Sequence, residues 1–145
     1  MKTVKTLMLL LFVTTIAVAQ DLNPSELPET VKNAFLKDYS KATDVEWERD
    51  MENYKVEFDM ERMEQEIWYT ASGEVIKKEQ DITEADLPQG IRDAIKSKYP
   101  DYRVDDVEMT WQDGKTTYEV ELEKGKEEWK IVYDSNGNVL QERRD

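Results

Sequence analysis

The sequence feature that most constrains the fold is an internal repeat. Leu27-Pro28 recurs as Leu87-Pro88, at an offset of 60 residues. The offset becomes 62 where Asp44-Val45-Glu46 matches Asp106-Val107-Glu108, and 64 from Tyr54 onward. We interpret this drift as two small insertions in loops of the second copy. Matching residues that keep the same order along both copies predict two copies of one supersecondary unit that pack against each other.

The pattern within each copy predicts one helix followed by four strands. In the second copy, apolar residues recur at helical spacing over 87–99, and Pro100 ends the helix. Apolar and polar residues then alternate, as in strands with one solvent-facing side, and Asn136-Gly137 marks a tight turn. The strand residues predicted to point inward are Val45, Trp47, Tyr54, Val56, Phe58, Ile67, Tyr69, Val107, Met109, Trp111, Tyr118, Val120, Leu122, Trp129, Ile131 and Tyr133.

These patterns predict an α+β fold of two tandem repeats, residues 20–80 and 81–145. Each repeat would hold one helix and a four-stranded antiparallel meander. A unit of about 60 residues is marginal alone, so we expect the two to pack side by side, with the helices on one face of the sheet. They would then share a core, in a sheet of up to eight strands.

Residues 1–19 are predicted to be a signal peptide. A short basic start precedes an apolar stretch over 7–19, and Ala17-Val18-Ala19 fits a signal-peptidase site. The stretch is 13 residues long, whereas a membrane span needs about 20, so cleavage is favoured over an anchor. We expect a mature chain that starts at Gln20, in the periplasm or outside the cell.

Composition excludes several classes of function. The chain has no Cys and no His, which removes disulfides, thiol nucleophiles, Ser-His-Asp triads and His-ligated metal sites. Loss of Lys2 and Lys5 leaves 18 basic against 33 acidic residues, a net charge of −15. Such acidity disfavours nucleic acid and anionic membranes and favours a basic protein surface or cations. We expect a monomer that needs no cofactor.

The outward side of the predicted sheet is acidic and carries one Trp. It holds Glu46, Glu48, Lys55, Glu57, Asp59, Glu66, Glu108, Glu119, Glu121, Glu123, Glu128 and Lys130. Trp68 shares this side, and Val132 is its counterpart in the second copy. An outward Trp is a typical interface anchor, although a loop or the other copy could equally cover it. The predicted partner-binding residues are Trp68, Glu57, Glu66, Glu119, Glu121, Lys130 and Val132.

Two alternatives to protein binding follow from the abundance of carboxylates. The first is divalent-cation binding, although the oxygen-rich segment 134–138 is better explained as a turn that needs Asn-Gly. The second is a hydrolase, which would need two carboxyls about 5–10 Å apart in a cleft, one with a raised pKa. No pattern marks any carboxylate as buried. We therefore predict a protein without catalytic activity.

The elements shared by the copies also resemble a known family. They are Leu27-Pro28, Ala34, Tyr39, Asp44-Val45, 54–57 and 69–76 in the first copy, and Leu87-Pro88, Ala94, Tyr99, Asp106-Val107, 118–121 and 133–140 in the second. In these the chain resembles the PepSY-like family of exported bacterial proteins, in its tandem, β-lactamase-inhibitor-like form. The resemblance implies a tandem helix-plus-four-strand fold with a concave sheet, and binding to another protein. The inhibitor's disulfides cannot form here, and no inhibitory loop matches, so inhibition of a β-lactamase is not implied.

Overall fold

The computed structural model describes residues 20–144 as one antiparallel sheet with two helices. The helices are α1 (Glu29–Asp38) and α2 (Gln89–Lys98). The strands are β1 (Gln20–Asp21), β2 (Thr43–Asp50), β3 (Asn53–Met60), β4 (Met63–Tyr69), β5 (Val75–Asp81), β6 (Arg103–Gln112), β7 (Lys115–Lys124), β8 (Glu127–Asp134) and β9 (Val139–Arg144). The predicted signal peptide lies outside the described residues.

The α+β class is confirmed, and the sheet is a single meander. Strands β2 to β9 are the eight expected from the two copies, and they lie side by side in chain order. The two-residue strand β1 adds a ninth at the β2 edge. We call α1 with β2–β5 the first unit, and α2 with β6–β9 the second unit.

Both helices cover the same face of the sheet, which the pairing register establishes. Directly opposite residues share a face, and Ile67 of β4 pairs with Lys78, which pairs with Trp111 of β6. Ile67 packs in the core under α1, and Val107, four residues from Trp111, packs in the core under α2. The predicted placement of the helices is therefore confirmed.

The apolar interior is divided into two clusters rather than shared. The first cluster centres on Val31 and Phe35 of α1, packed on the inward side chains of β2–β4. The second centres on Ile91 and Ile95 of α2, packed on β6–β8. The expectation of a common core is therefore wrong. The units are joined through the strand pairing of β5 with β6.

Each helix begins against the last turn of its own unit. In the second unit, a Cβ on Gly137 would lie 2.5 Å from the carbonyl oxygen of Gly90, and Gly137 has a φ of +89°. In the first unit, a Cβ on Gly73 would lie 2.8 Å from the carbonyl oxygen of Thr30, and its φ is +86°. Only glycine combines this backbone conformation with so close an approach. The glycine repeated at the end of each copy is thus explained by helix packing.

The register corrects the alignment of the two copies. Trp47 pairs with Val56, and Val107 pairs with Val120, so Trp47 rather than Val45 is the counterpart of Val107. A bulge displaces the chain at Asp44, whose φ is +52°. Val45 was predicted to point inward, but it is 37% exposed. The bulge inserts an unpaired residue and breaks the period of two.

A longer hairpin accounts for the whole drift in offset. The β2–β3 hairpin closes with Asp50 opposite Asn53, positions that correspond to Thr110 and Thr117. Beyond them, the β6–β7 hairpin adds two more cross-strand pairs, Trp111 with Thr116 and Gln112 with Lys115. The two loop insertions expected from the sequence are therefore one four-residue extension of strands. The extension lengthens β6 where it pairs with β5.

Candidate functional site

The face of the sheet opposite the helices is the candidate site, and we call it the outer face. Glu46, Glu57, Glu66 and Glu79 lie directly opposite one another across β2, β3, β4 and β5. The Cβ atoms of directly opposite residues lie about 4.5–5.5 Å apart, so like charges at these positions repel each other. The row therefore concentrates negative charge at the centre of the first unit's outer face.

Four basic side chains of the outer face already pair with acids. Lys55 Nζ lies 2.6 Å from Glu66 Oε1 and 3.7 Å from Glu57 Oε2. Lys77 pairs with Glu79, Lys130 with Glu121, and Arg143 with Glu119 at 4.0 Å. Burial acts to lower the pKa of Lys55, but the hydrogen bond to Glu66 and the neighbouring carboxylates raise it above its ordinary value. Lys55 therefore stays charged at neutral pH.

Trp68 lies on the outer face, as the alternation predicted. Its indole Nε1–H donates a hydrogen bond of 3.0 Å to Asp50 Oδ2. Lys77 Nζ lies 4.2 Å and Lys55 Nζ 5.4 Å from the ring centroid. The ring is half-buried, and the two ammonium groups make cation–π contacts with it.

The seven residues predicted to bind a partner lie on one face but in two patches. In the first unit, Glu57 is opposite Glu66, and Trp68 is opposite Lys55. In the second unit, the same positions hold two pairs: Glu121 opposite Lys130, and Glu119 opposite Val132. The patches are four strands apart, about 19 Å. A partner that contacted both would therefore span most of the sheet.

Sequence reasoning missed three acids of the outer face. Glu64, Glu79 and Asp81 join Glu66 and Glu108 around a hollow of about 70 Å³, which Gln80 also lines. Glu64 alternates with Glu66 and Trp68 along β4, so a full extension of the period-two pattern through β4 and β5 would have found these acids.

Three of the acids around this hollow, Glu64, Asp81 and Glu108, have raised pKa values. Burial raises the pKa of Glu108, and the charges of Glu79, Glu119 and Asp81 raise it further. Burial and neighbouring acids also raise the pKa of Glu64 and Asp81. Raised carboxyl pKa values are one mark of a hydrolase, but sites for small molecules measure about 300–1,000 Å³. The hollow is too small for a substrate.

One group of carboxylates has spacing that would suit a metal ion. Glu57, Glu64 and Glu66 each offer an oxygen, and these oxygens lie within 4.8 Å of one another. The Lys55 ammonium already contacts two of these three side chains. A divalent cation would have to displace that ammonium, which weakens the case for a metal here.

Among residues 20–144, no helix has the length and apolar character needed to cross a membrane. A comparison with curated protein sequences found no significant match. Several solved structures share the fold, at levels of identity that support likeness of fold alone.

Three of them illustrate the likeness. A protein described as a putative periplasmic protein from Bacteroides eggerthii is 22% identical, with a TM-score of 0.69, over 81% of this chain and 88% of that one. A DUF2874 family protein from Bacteroides uniformis is 20% identical, with a TM-score of 0.67, over 81% and 88%. A BLIP-like protein from Bacteroides fragilis is 24% identical, with a TM-score of 0.65, over 81% and 86%.

The sequence itself identifies the family. It matches the family described as "putative beta-lactamase-inhibitor-like, PepSY-like" twice, over residues 14–77 and 61–141. The two matches together cover most of the chain, and they reproduce the tandem arrangement seen in the fold. The protein therefore belongs to the PepSY-like, β-lactamase-inhibitor-like family.

Proposed function

We propose that this protein is an exported, non-catalytic module that binds a basic surface of another protein through its outer face. The observation that carries the proposal is the row of Glu46, Glu57, Glu66 and Glu79, placed directly opposite one another. Directly opposite like charges repel, and Lys55 and Lys77 offset only part of that repulsion. A surface that concentrates negative charge in this way is well suited to steering a basic partner.

Membership of the family supports export, and so does the N-terminal segment, in which a short basic start precedes an apolar stretch. The fold neighbour from Bacteroides eggerthii is described as periplasmic, in line with a mature chain that starts at Gln20. N-terminal sequencing of the protein recovered from a periplasmic fraction tests this part directly. A chain that retains residues 1–19 would contradict it.

Divalent-cation binding is the second candidate, and the observation in its favour is the closeness of Glu57, Glu64 and Glu66. The proximity of Lys55 to Glu66 argues against it, because an ammonium already neutralises part of this charge. Calorimetric titration of the mature protein with calcium separates the candidates. Heat that saturates below millimolar calcium, and that Glu64→Gln abolishes, would favour the metal.

The test of protein binding is affinity capture from a periplasmic extract with immobilised mature protein. The outer-face variant combines Trp68→Ala with Glu46→Lys and Glu57→Lys, two acids of that row. The control variant combines Glu52→Lys and Glu74→Lys, which make the same change in net charge at exposed turn positions. We expect the outer-face variant to lose the captured protein and the control to retain it.

Ionic strength provides a second measurement of the same interaction. The Debye length falls from about 10 Å at 0.1 M salt to about 3 Å at 1 M, so capture should weaken steeply over this range. Equal capture by the wild type and the outer-face variant would refute the proposal, and so would capture that does not depend on salt.

A further inference from the structure

A second candidate surface lies on the helix side of the sheet, where the two units meet. At the β5–β6 junction the inward side chains of Lys78, Met109 and Trp111 belong to neither core cluster, and Val75 packs against the edge of the first. Val75, Lys78, Met109, Trp111 and Thr116 line an open groove of about 420 Å³ there. We call it the junction groove. Its lining is mostly apolar, which is unusual for so acidic a chain.

The four-residue extension of the β6–β7 hairpin builds this groove. Trp111 and Thr116 face each other within the extension, and the first unit has no counterpart of either. The sequence predicted Trp111 to be a core residue, but the ring is half-buried and belongs to neither core cluster. Trp and Met are enriched at protein interfaces, and Met109 is the neighbouring inward residue of β6.

The groove also offers a positive charge without a carboxylate partner. Lys78 Nζ donates a hydrogen bond of 3.1 Å to the Tyr39 hydroxyl and lies 5.7 Å from the centre of that ring. Within residues 20–144 it makes no ion pair, although acids outnumber bases 33 to 20 in the chain. A half-buried ammonium in apolar surroundings favours an anion.

A second donor stands beside Lys78. Trp111 is its direct cross-strand partner, and the indole N–H of Trp111 has no hydrogen-bond partner within the described chain. The Cβ atoms of these two opposite residues are about 5 Å apart, so both side chains start from neighbouring positions in the groove. A carboxylate has two oxygens that can accept from two such donors at once.

From this chemistry we propose that the junction groove binds an extended peptide segment of a partner protein, with an Asp or Glu between apolar side chains. The carboxylate would accept from Lys78 and Trp111, and the apolar side chains would pack on Val75 and Met109. An open, shallow groove suits a peptide better than a small molecule, because small ligands bury 70–90% of their surface in enclosed sites. This surface is separate from the outer face.

The proposal can be tested with a phage-displayed octapeptide library panned on the mature protein. The library is first adsorbed on a double variant, Lys78→Gln with Trp111→Thr, whose outer face is unchanged. This step removes phage that bind the outer face. We expect the selected peptides to carry an acid flanked by apolar residues. In fluorescence anisotropy, each single substitution should weaken the Kd of a synthetic selected peptide by about tenfold, as loss of one charge-assisted contact does.

Matched controls keep the result specific. Lys126→Gln removes the same charge at an exposed turn and should leave the Kd unchanged, while Lys78→Arg should retain binding. Melting curves should show that all variants fold, since Lys78 and Trp111 lie outside both cores. The outer-face variant should bind the peptide normally, so this proposal and the proposed function can fail separately.

Three outcomes would overturn the proposal. They are no enrichment over the double variant, a Kd that changes less than twofold on Lys78→Gln, or equal binding of a peptide whose acid is replaced by its amide.

Discussion

Glu108 offers the sharpest test of the electrostatics of the outer face. It lies on β6 between two directly opposite acids, Asp81 on β5 and Glu119 on β7. Opposite like charges cost a few tenths to 1 kcal/mol per pair, so Glu108→Gln should stabilise the protein by about 1 kcal/mol at pH 7. The amide oxygen can still accept the hydrogen bond of 3.3 Å from Thr110.

The sign of the pH dependence follows from the raised pKa of Glu108. The folded state binds the proton more tightly than the unfolded state does, so this carboxyl reduces stability as pH rises through its folded pKa. About one pH unit below its ordinary pKa of 4.5, Glu108 is almost fully neutral in both states. The gain from Glu108→Gln should therefore be present at pH 7 and vanish by about pH 3.5.

Thermal unfolding followed by circular dichroism measures this effect. A change of about 1 kcal/mol corresponds to a rise in Tm of about 3–5 °C for a domain of this size. Glu52→Gln makes the same charge change in the exposed β2–β3 turn and should shift the Tm little. A Glu108→Gln protein no more stable than the wild type at pH 7 would refute the reasoning. An equal gain at pH 3.5 would also refute it.

Two further predictions concern packing. Gly137→Ala should destabilise the protein by more than about 1 kcal/mol, because its Cβ would meet the Gly90 carbonyl oxygen at 2.5 Å. Gly125→Ala is the control, since Gly125 also has a positive φ but has open space around it, and it should lower the free energy of urea unfolding less. Equal losses would contradict the packing argument. Leu122→Ala should lower the free energy of unfolding by about 2–5 kcal/mol, because Leu122 is 0% exposed. Leu36→Ala, at a site that is 57% exposed, should change the urea midpoint little. A similar loss of stability at both sites would contradict the assigned core.

Much of the fold could be predicted because repetition and alternation are strong local signals. The strands, both helices and their common face follow from period two, period 3.6 and the repeated Leu-Pro. The bulge at Asp44 could not be foreseen, because a single inserted residue leaves no mark in a short alternating run. It moved Val45 outward. The separation of the cores depends on which inward residues the helices reach, which the pattern does not encode.

For the candidate site, the sequence predicted which face of the sheet the side chains occupy, but not the contacts that they make. Alternation placed Trp68, Glu57 and Glu66 on the outer face, because side-chain facing follows from strand period alone. It did not show that Lys55 pairs with three glutamates, or that Trp68 donates to Asp50. Those contacts depend on strand register, and hairpins whose turns differ in length place the strands differently.

The pairing of β5 with β6 has a consequence for the protection of each unit. Separated, the first unit would end in β5 and the second would begin with β6, and both would be long strands with unpaired backbone donors and acceptors. Exposed strands of this kind recruit other chains and promote aggregation. In the intact chain each copy shields the other's vulnerable edge. Duplication therefore supplies mutual protection against misassembly in addition to a larger surface.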